Sequence, residues 1–196
     1  MLEASGPVLK FILTGLAGTF LGLAATQTLL IERPAFGAIE VGPWHVAPKT
    51  GSAEIDPYSR AQFARTGEIA IAHAEGLSFL ALTDSEGARL ASRCTYILRG
   101  PVPDSRYWTL TLVSPTGLLT ENAAGRYGFT STEVLRAADG TFEIIAGRGA
   151  RPGNWLPAPQ TETFDLVLRL YDTLLDFSTS KVDQGALPRI SKMGCE

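Results

Sequence analysis

The hydrophobic pattern divides the chain in two. From Phe11 to Ile31 it reads FILTGLAGTFLGLAATQTLLI, 21 residues without a charge. As a helix at about 1.5 Å per residue, such a run covers roughly 30 Å, the depth of a bilayer's hydrocarbon core. Lys10 precedes the run, and Glu32, Arg33 and Pro34 close it. Proline lacks the amide proton that a helix needs and disfavours helical backbone just before it. The pattern predicts one N-terminal transmembrane helix that meets the lipid bilayer through residues 11–31.

A cleaved signal peptide would have a shorter apolar centre followed by small residues. Leu23-Ala24-Ala25 offers such a cleavage point, but the run then resumes through Thr26 to Ile31, which favours an uncleaved anchor. Lys10 and Arg33 balance one another across the run, so orientation rests on size. The head is too short to fold, which places residues 1–34 as cytoplasmic head and anchor and 35–196 as an extracytoplasmic domain. Gly15, Gly18 and Gly22 lie on neighbouring faces of the helix, with Gly18 and Gly22 forming a GxxxG. Small residues at that spacing let a second helix approach closely, so pairing with itself or with a larger membrane complex is expected. The plainer alternative is that glycine is simply frequent in membrane segments.

Beyond Pro34 the pattern changes to short alternating runs between turn residues. Ile39–Val46 is an extended piece interrupted by Gly42-Pro43. Asp56-Pro57-Tyr58 opens a short helix that runs through Thr66 and stops at Gly67. Asp caps free amides, proline suits the first helical position, and glycine suits the left-handed residue after the last turn. Strands are then predicted at Leu77–Thr83, Leu90–Leu98, Tyr107–Val113, Val134–Ala137, Phe142–Ile145 and Phe164–Tyr171. In Tyr107–Val113 the residues Trp108, Leu110 and Leu112 share one face, and Thr109 and Thr111 the other. Ser114–Gly117 reads as a turn, Asp139-Gly140 as a hairpin turn, and Gly147–Gly153 as a loop. Short strands with one helical interruption predict a mainly β protein, an antiparallel sandwich or barrel.

Composition narrows the picture. The chain has 196 residues, 45% hydrophobic and 19% charged, enough for one packed domain. A net charge of -3 argues against nucleic acid as a partner, since such binding needs a basic face. The two cysteines, Cys94 and Cys195, suit an oxidising compartment if paired, closing a loop of about 100 residues. Otherwise Cys94 is a buried thiol and Cys195 a loose one.

Catalytic signatures are absent. No G-x-S-x-G, H-E-x-x-H, Walker or dinucleotide glycine pattern occurs. The two histidines, His45 and His73, do not supply a four-ligand zinc site, so neither a metal nor a cofactor is expected. A cysteine nucleophile would need Cys94 beside a histidine. Glu68, Glu75, Asp84 and Glu86 are candidate acids, but no spacing selects a pair from them. More suggestive is a mixture of aromatic faces and forked donors: Trp44, Tyr107, Trp108, Asn122, Arg126, Tyr127, Asn154, Trp155 and Arg169. Such side chains suit a saccharide or a small anion in a groove. The structural alternative puts Trp108 in the core and uses Asn154 to lock a corner through backbone bonds. In that reading Arg169 pairs with Asp139 or Glu143.

Several of these pieces recur in order. Tyr107–Leu112, Gly117-Leu118-Leu119, Asn122, Arg126-Tyr127, Asp139-Gly140, Asn154–Pro159 and Leu168–Tyr171 together resemble the domain-of-unknown-function 1214 family. Upstream, Gly42-Pro43-Trp44, Asp56-Pro57-Tyr58, Arg60-Ala61 and Glu75-Gly76 are similar to the leader of its short, membrane-anchored members. The resemblance covers most of residues 37–192 and implies a jelly-roll-like sandwich outside the cytoplasm of a bacterium. Longer relatives carry a preceding domain-of-unknown-function 1254 module. Relatives often have Trp-Pro where this chain has Asp172-Thr173. The family brings no established activity. The expectation is an inner-membrane, single-pass protein with a periplasmic domain, acting as an accessory or binding module of a membrane or envelope complex. The runner-up is an envelope enzyme or lectin-like domain with a groove lined by Trp155, Arg126 and Arg169. A purely structural envelope protein is the third reading.

Overall fold

The computed structural model describes residues 5–31, 37–72, 74–175 and 185–196. His73 and the helix stop at Glu32–Pro34 lie outside the described residues. Helix α1 (Ser5–Ile31) contains the whole apolar run, and every residue from Gly6 to Leu29 is exposed. Over Gly6–Leu30 it is long and apolar enough to cross a membrane. Thr28 hides its hydroxyl by donating to the Ala24 carbonyl at 3.0 Å, which suits a surface that water does not wet.

Strands β1 (Ile39–Val41) and β2 (Trp44–Val46) form a hairpin about Gly42-Pro43, so the interruption seen in the sequence is the turn itself. Helix α2 (Pro57–Thr66) starts and stops as its end residues dictate. The Asp56 carboxylate accepts from the amides of Tyr58 and Ser59, and Gly67, left-handed at φ 68°, donates to the Phe63 carbonyl. These bonds satisfy groups that every helix end otherwise leaves open.

The other strands are β3 (Gly76–Ala81), β4 (Cys94–Arg99), β5 (Ser105–Val113), β6 (Gly128–Thr130), β7 (Glu143–Gly147), β8 (Asn154–Pro157), β9 (Asp165–Thr173) and β10 (Arg189–Cys195). They make a six-stranded sheet ordered β1-β2-β3-β9-β5-β6 and a four-stranded sheet ordered β10-β4-β7-β8. Register aligns the inner face of the larger sheet in three rows. One is Val41-Trp44-Ala81-Leu166-Leu112, the next Ile39-Val46-Phe79-Leu168-Leu110-Phe129, and the last Leu77-Leu170-Trp108. Against them the smaller sheet sets Ile190, Leu98 and Ile144, then Tyr96, Ala146 and Leu156. Burying a side chain of this size contributes about 1.5–3 kcal/mol, so these rows hold the sheets together. Tyr96 meets Phe164 edge to face at 5.8 Å, and the Trp44 indole donates to the Pro188 carbonyl at 2.8 Å, tying one sheet to the approach of β10. Gly76 and Gly128 allow close backbone approaches between neighbouring strands. A Cβ on either would lie 2.0 Å from the Leu170 oxygen or 2.4 Å from the Leu110 oxygen.

Three expectations change. The sandwich is not wholly antiparallel, because β7 and β8 run parallel, with Ile145 opposite Trp155. The loop from Arg148 to Gly153 carries the chain back along β7, and Ala158 then donates to the Gly147 carbonyl at 3.1 Å. Val134–Ala137 is not a strand. Its hairpin shrinks to a single bridge between Arg136 and Phe142 around Gly140, and the preceding backbone is drawn into a turn by bonds from Glu133 and Val134 to the Thr130 carbonyl. The strand expected from Leu90 begins only at Cys94, because a turn at Ser92-Arg93 intervenes. Strand β10 adds an edge to β4 at the end of the chain, and there Cys94 and Cys195 face each other across the ladder, joined by a disulfide.

Candidate functional site

Alternation along the strands of the larger sheet decides what faces away from the core. Register sets His45, Leu80, Val167 and Thr111 in one outward row, Ser78, Arg169, Thr109 and Thr130 in the next, and Tyr171 beside Tyr107 at the margin. Helix α2 and the segment after it lie over the β2–β3 half of this face. They close a cavity of about 60 Å³ lined by His45, Gln62, Thr66, Glu68 and Ser78 among others. Burial holds His45 below its ordinary pKa of 6.5, and Glu40, 3.8 Å from its Nδ1, pulls in the opposite direction.

The other half stays open as a groove of about 510 Å³. Its floor is Val113, Val167, Arg169 and Tyr171, one wall is Thr66–Ile71, and the other is Gly117-Leu118. Arg169 meets Glu68 at 3.3 Å, with side-chain exposures of 28% and 21%, and the Tyr171 and Tyr107 rings are 6.1 Å apart. Glu75 lines the same groove. Arg169 therefore pairs with neither Asp139 nor Glu143. Those acids belong to the far end of the sandwich, where Glu143 holds Arg99 and Asp139 accepts from Thr141.

A larger groove, about 980 Å³, opens at that far end. Trp108 stacks on Phe142 at 5.2 Å, and Arg136 lies over the same Phe142 ring while donating to the Gly140 carbonyl. Trp108 is nonetheless a core side chain, as its alternation with leucines predicts.

The forked donors do not gather in one groove. Arg126 and Tyr127 border a separate hollow with Phe129 and Glu133, Arg169 floors the outer-face groove, and Asn154 borders the end groove. Their polar atoms largely serve the backbone. Asn154 accepts from the Leu135 amide at 2.7 Å and donates to the carbonyls of Leu135 and Glu143, both at 2.8 Å. Asn122 and Arg126 close their turn reciprocally, and Arg126 reaches the Trp155 carbonyl while the Trp155 indole donates to the Gly147 carbonyl. The groove imagined between Trp155, Arg126 and Arg169 is thus replaced by a seam that joins β6 to β8, with Arg169 elsewhere.

Among the candidate acids, Glu68 and Glu75 share a groove. Asp84 is buried and caps its own turn, accepting from the amides of Glu86 and Ala88. Cys94 is bonded to Cys195 and is no nucleophile. Among the described residues no three His, Cys, Asp or Glu side chains come together as a metal-holding group. On α1, a Cβ added at Gly15, Gly18 or Gly22 would meet nothing within 4 Å. Glu68 was a candidate acid in the sequence, but its place in a groove wall with Ile69–Ile71 was not visible there, since its partner Arg169 lies 101 positions away.

Residues 75–174 match the family described as protein of unknown function (DUF1214), and this span is a little over half of the chain. Among solved structures, the VPA0106 protein from Vibrio parahaemolyticus is similar at a TM-score of 0.55 and 20% identity, over 72% of this chain and 36% of that one. An uncharacterized protein from Burkholderia cenocepacia is similar at a TM-score of 0.45 and 18% identity, over 92% of this chain and 42% of that one. The chain thus spans well under half the length of either. No curated protein matches it. The chain belongs to the DUF1214 family.

Proposed function

We propose that this DUF1214 family member is a membrane-anchored binding module of a bacterial envelope. In this reading residues 1–34 form the cytoplasmic head and inner-membrane anchor, and 35–196 form a jelly-roll-like domain in the periplasm. The observation that carries it is α1, which has no charge from Phe11 to Ile31 and is exposed along nearly its whole length. Each large apolar side chain held in water rather than lipid costs roughly 2 kcal/mol, so a helix this greasy needs a nonaqueous partner. Alkaline carbonate extraction of membranes tests it: the chain should stay in the pellet at its full mass. Release into the supernatant, or a mature mass lower by about 25 residues, overturns the anchor. Pairing through Gly15, Gly18 and Gly22 belongs to the same reading. Changing Gly18 and Gly22 to Leu should abolish a membrane two-hybrid signal, and an unchanged signal refutes pairing.

The open groove over Arg169, with Glu68, Glu75 and Tyr171 around it, favours a second reading: capture or processing of a carbohydrate or small anionic ligand. Copurification of a stable membrane partner in mild detergent supports the first reading. A rise in melting temperature on adding glycans or small anions supports the second.

A further inference from the structure

Three large aliphatic side chains stand at the rim of the outer-face groove with their surfaces in solvent: Ile69 is 87% exposed, Leu118 61% and Leu119 57%. Ile69 and Leu118 belong to opposite walls of that groove, and Leu119 follows Leu118 in the chain. The backbone presents the leucines firmly. The Ser114 amide donates to the Leu118 carbonyl at 2.8 Å, and the Leu118 amide donates back to the Ser114 hydroxyl at 3.2 Å. Scattered apolar side chains are ordinary on a protein surface, but a cluster on a braced rim marks a contact surface.

We propose that this rim rests on the bilayer that holds α1, an inference that depends on α1 being a membrane anchor. The tether selects this partner. Ile31 and Gly37 are separated by five residues, whose reach is at most about 20 Å in any conformation. Helix α2, whose C-terminal stop leads directly into the Ile69 wall, makes a small contact with α1. A body tied this closely meets the membrane surface at a high effective concentration, so a shallow apolar footing suffices. Around the rim the charged groups Glu68, Glu75 and Arg169 carry no basic excess, and the whole chain is at -3. Attraction to anionic headgroups therefore does not drive the contact. Insertion of aliphatic side chains does, and raised salt leaves it unchanged.

The test places the full chain in nanodiscs of phosphatidylethanolamine and phosphatidylglycerol doped with a diazirine-bearing phospholipid, followed by irradiation and peptide mass spectrometry. Adducts are expected on α1 and on the peptides carrying Ile69 and Leu118-Leu119, at low and high salt alike. Leu118→Asp with Leu119→Asp should lose the loop adducts, retain those on α1, and melt at the parental temperature. Ile69→Asp should do the same at its own wall. Adducts on α1 alone overturn the resting rim while leaving the anchor in place. Rim adducts that survive the aspartates, or that vanish in high salt, overturn apolar insertion. An absence of adducts on α1 defeats the anchor reading itself.

Discussion

Arg89 fastens the turn after β3 to the first residue of β9 by meeting Asp165 at 2.5 Å. The same guanidinium donates to the carbonyls of Leu82 at 2.6 Å and Phe164 at 2.7 Å. Asp165 is 1% exposed, so protein groups rather than water hold its carboxylate, and this cation is one of them. Arg89→Ala should destabilise the protein by about 3–5 kcal/mol, because it takes the cation away from a buried carboxylate. Arg89→Met combined with Asp165→Leu should recover the part due to the charge, while the part due to the Leu82 and Phe164 carbonyls remains. Urea titrations of both variants check this, and a single-variant loss below about 1 kcal/mol would mean that the pair behaves as a surface one.

The bond between Cys94 and Cys195 spans 101 positions. On the chain-entropy account its removal costs about 4–5 kcal/mol. Changing both residues to Ser should lower the urea midpoint, and adding reductant to the parent should reproduce the effect. The loss should show first in β10, where Ile190 is the one fully buried side chain, as faster hydrogen exchange from Ser191 onward.

Asn154 buckles the start of β8 to the backbone at Leu135 and Glu143. Asn154→Ala leaves an amide and two carbonyls without these partners, at a cost of about 3 kcal/mol. Asn154→Asp should be no better, since its added oxygen faces carbonyls where a donor stood. Faster exchange of the Leu135 amide in both variants is the expected signature. An unchanged rate would remove Asn154 from this role.

His45 gives stability a pH dependence with a definite sign. Its side chain is 13% exposed, and burial lowers its native pKa below 6.5. As pH falls through 6.5 the unfolded chain takes up the proton first, so stability is full above that value and declines below it until the native pKa is passed. Glu40 raises the native pKa and limits the decline. Urea midpoints between about pH 7.5 and 5 should flatten in His45→Gln and steepen in Glu40→Gln.

Elements built by local rules were legible in the sequence. Helix α2 needs only Asp56, Pro57 and Gly67 in their places. Strands β5 and β9 announce themselves by alternation, Trp108, Leu110 and Leu112 facing in while Thr109 and Thr111 face out. Strand β10 was not legible, because Arg-Ile-Ser-Lys-Met-Gly-Cys has no alternation and is a strand by virtue of β4 beside it. Strand β6 is three residues long, and the parallel direction of β8 is a property of the return loop rather than of its own residues. For the site, the outward direction of Arg169 followed from its leucine neighbours, while its partner Glu68 did not, being a choice made across the fold. Asn122 and Asn154 offered ligand-binding chemistry by residue type, and their side chains proved to be taken up by nearby backbone.

The link between Cys94 and Cys195 also governs how damage to this molecule would look. A protease that clips the backbone once anywhere between those positions frees no fragment. Both halves travel together on a nonreducing gel, and the wound becomes visible only when thiol is added. Half of the polypeptide can therefore be nicked while its apparent size and its attachment to the rest stay unaltered.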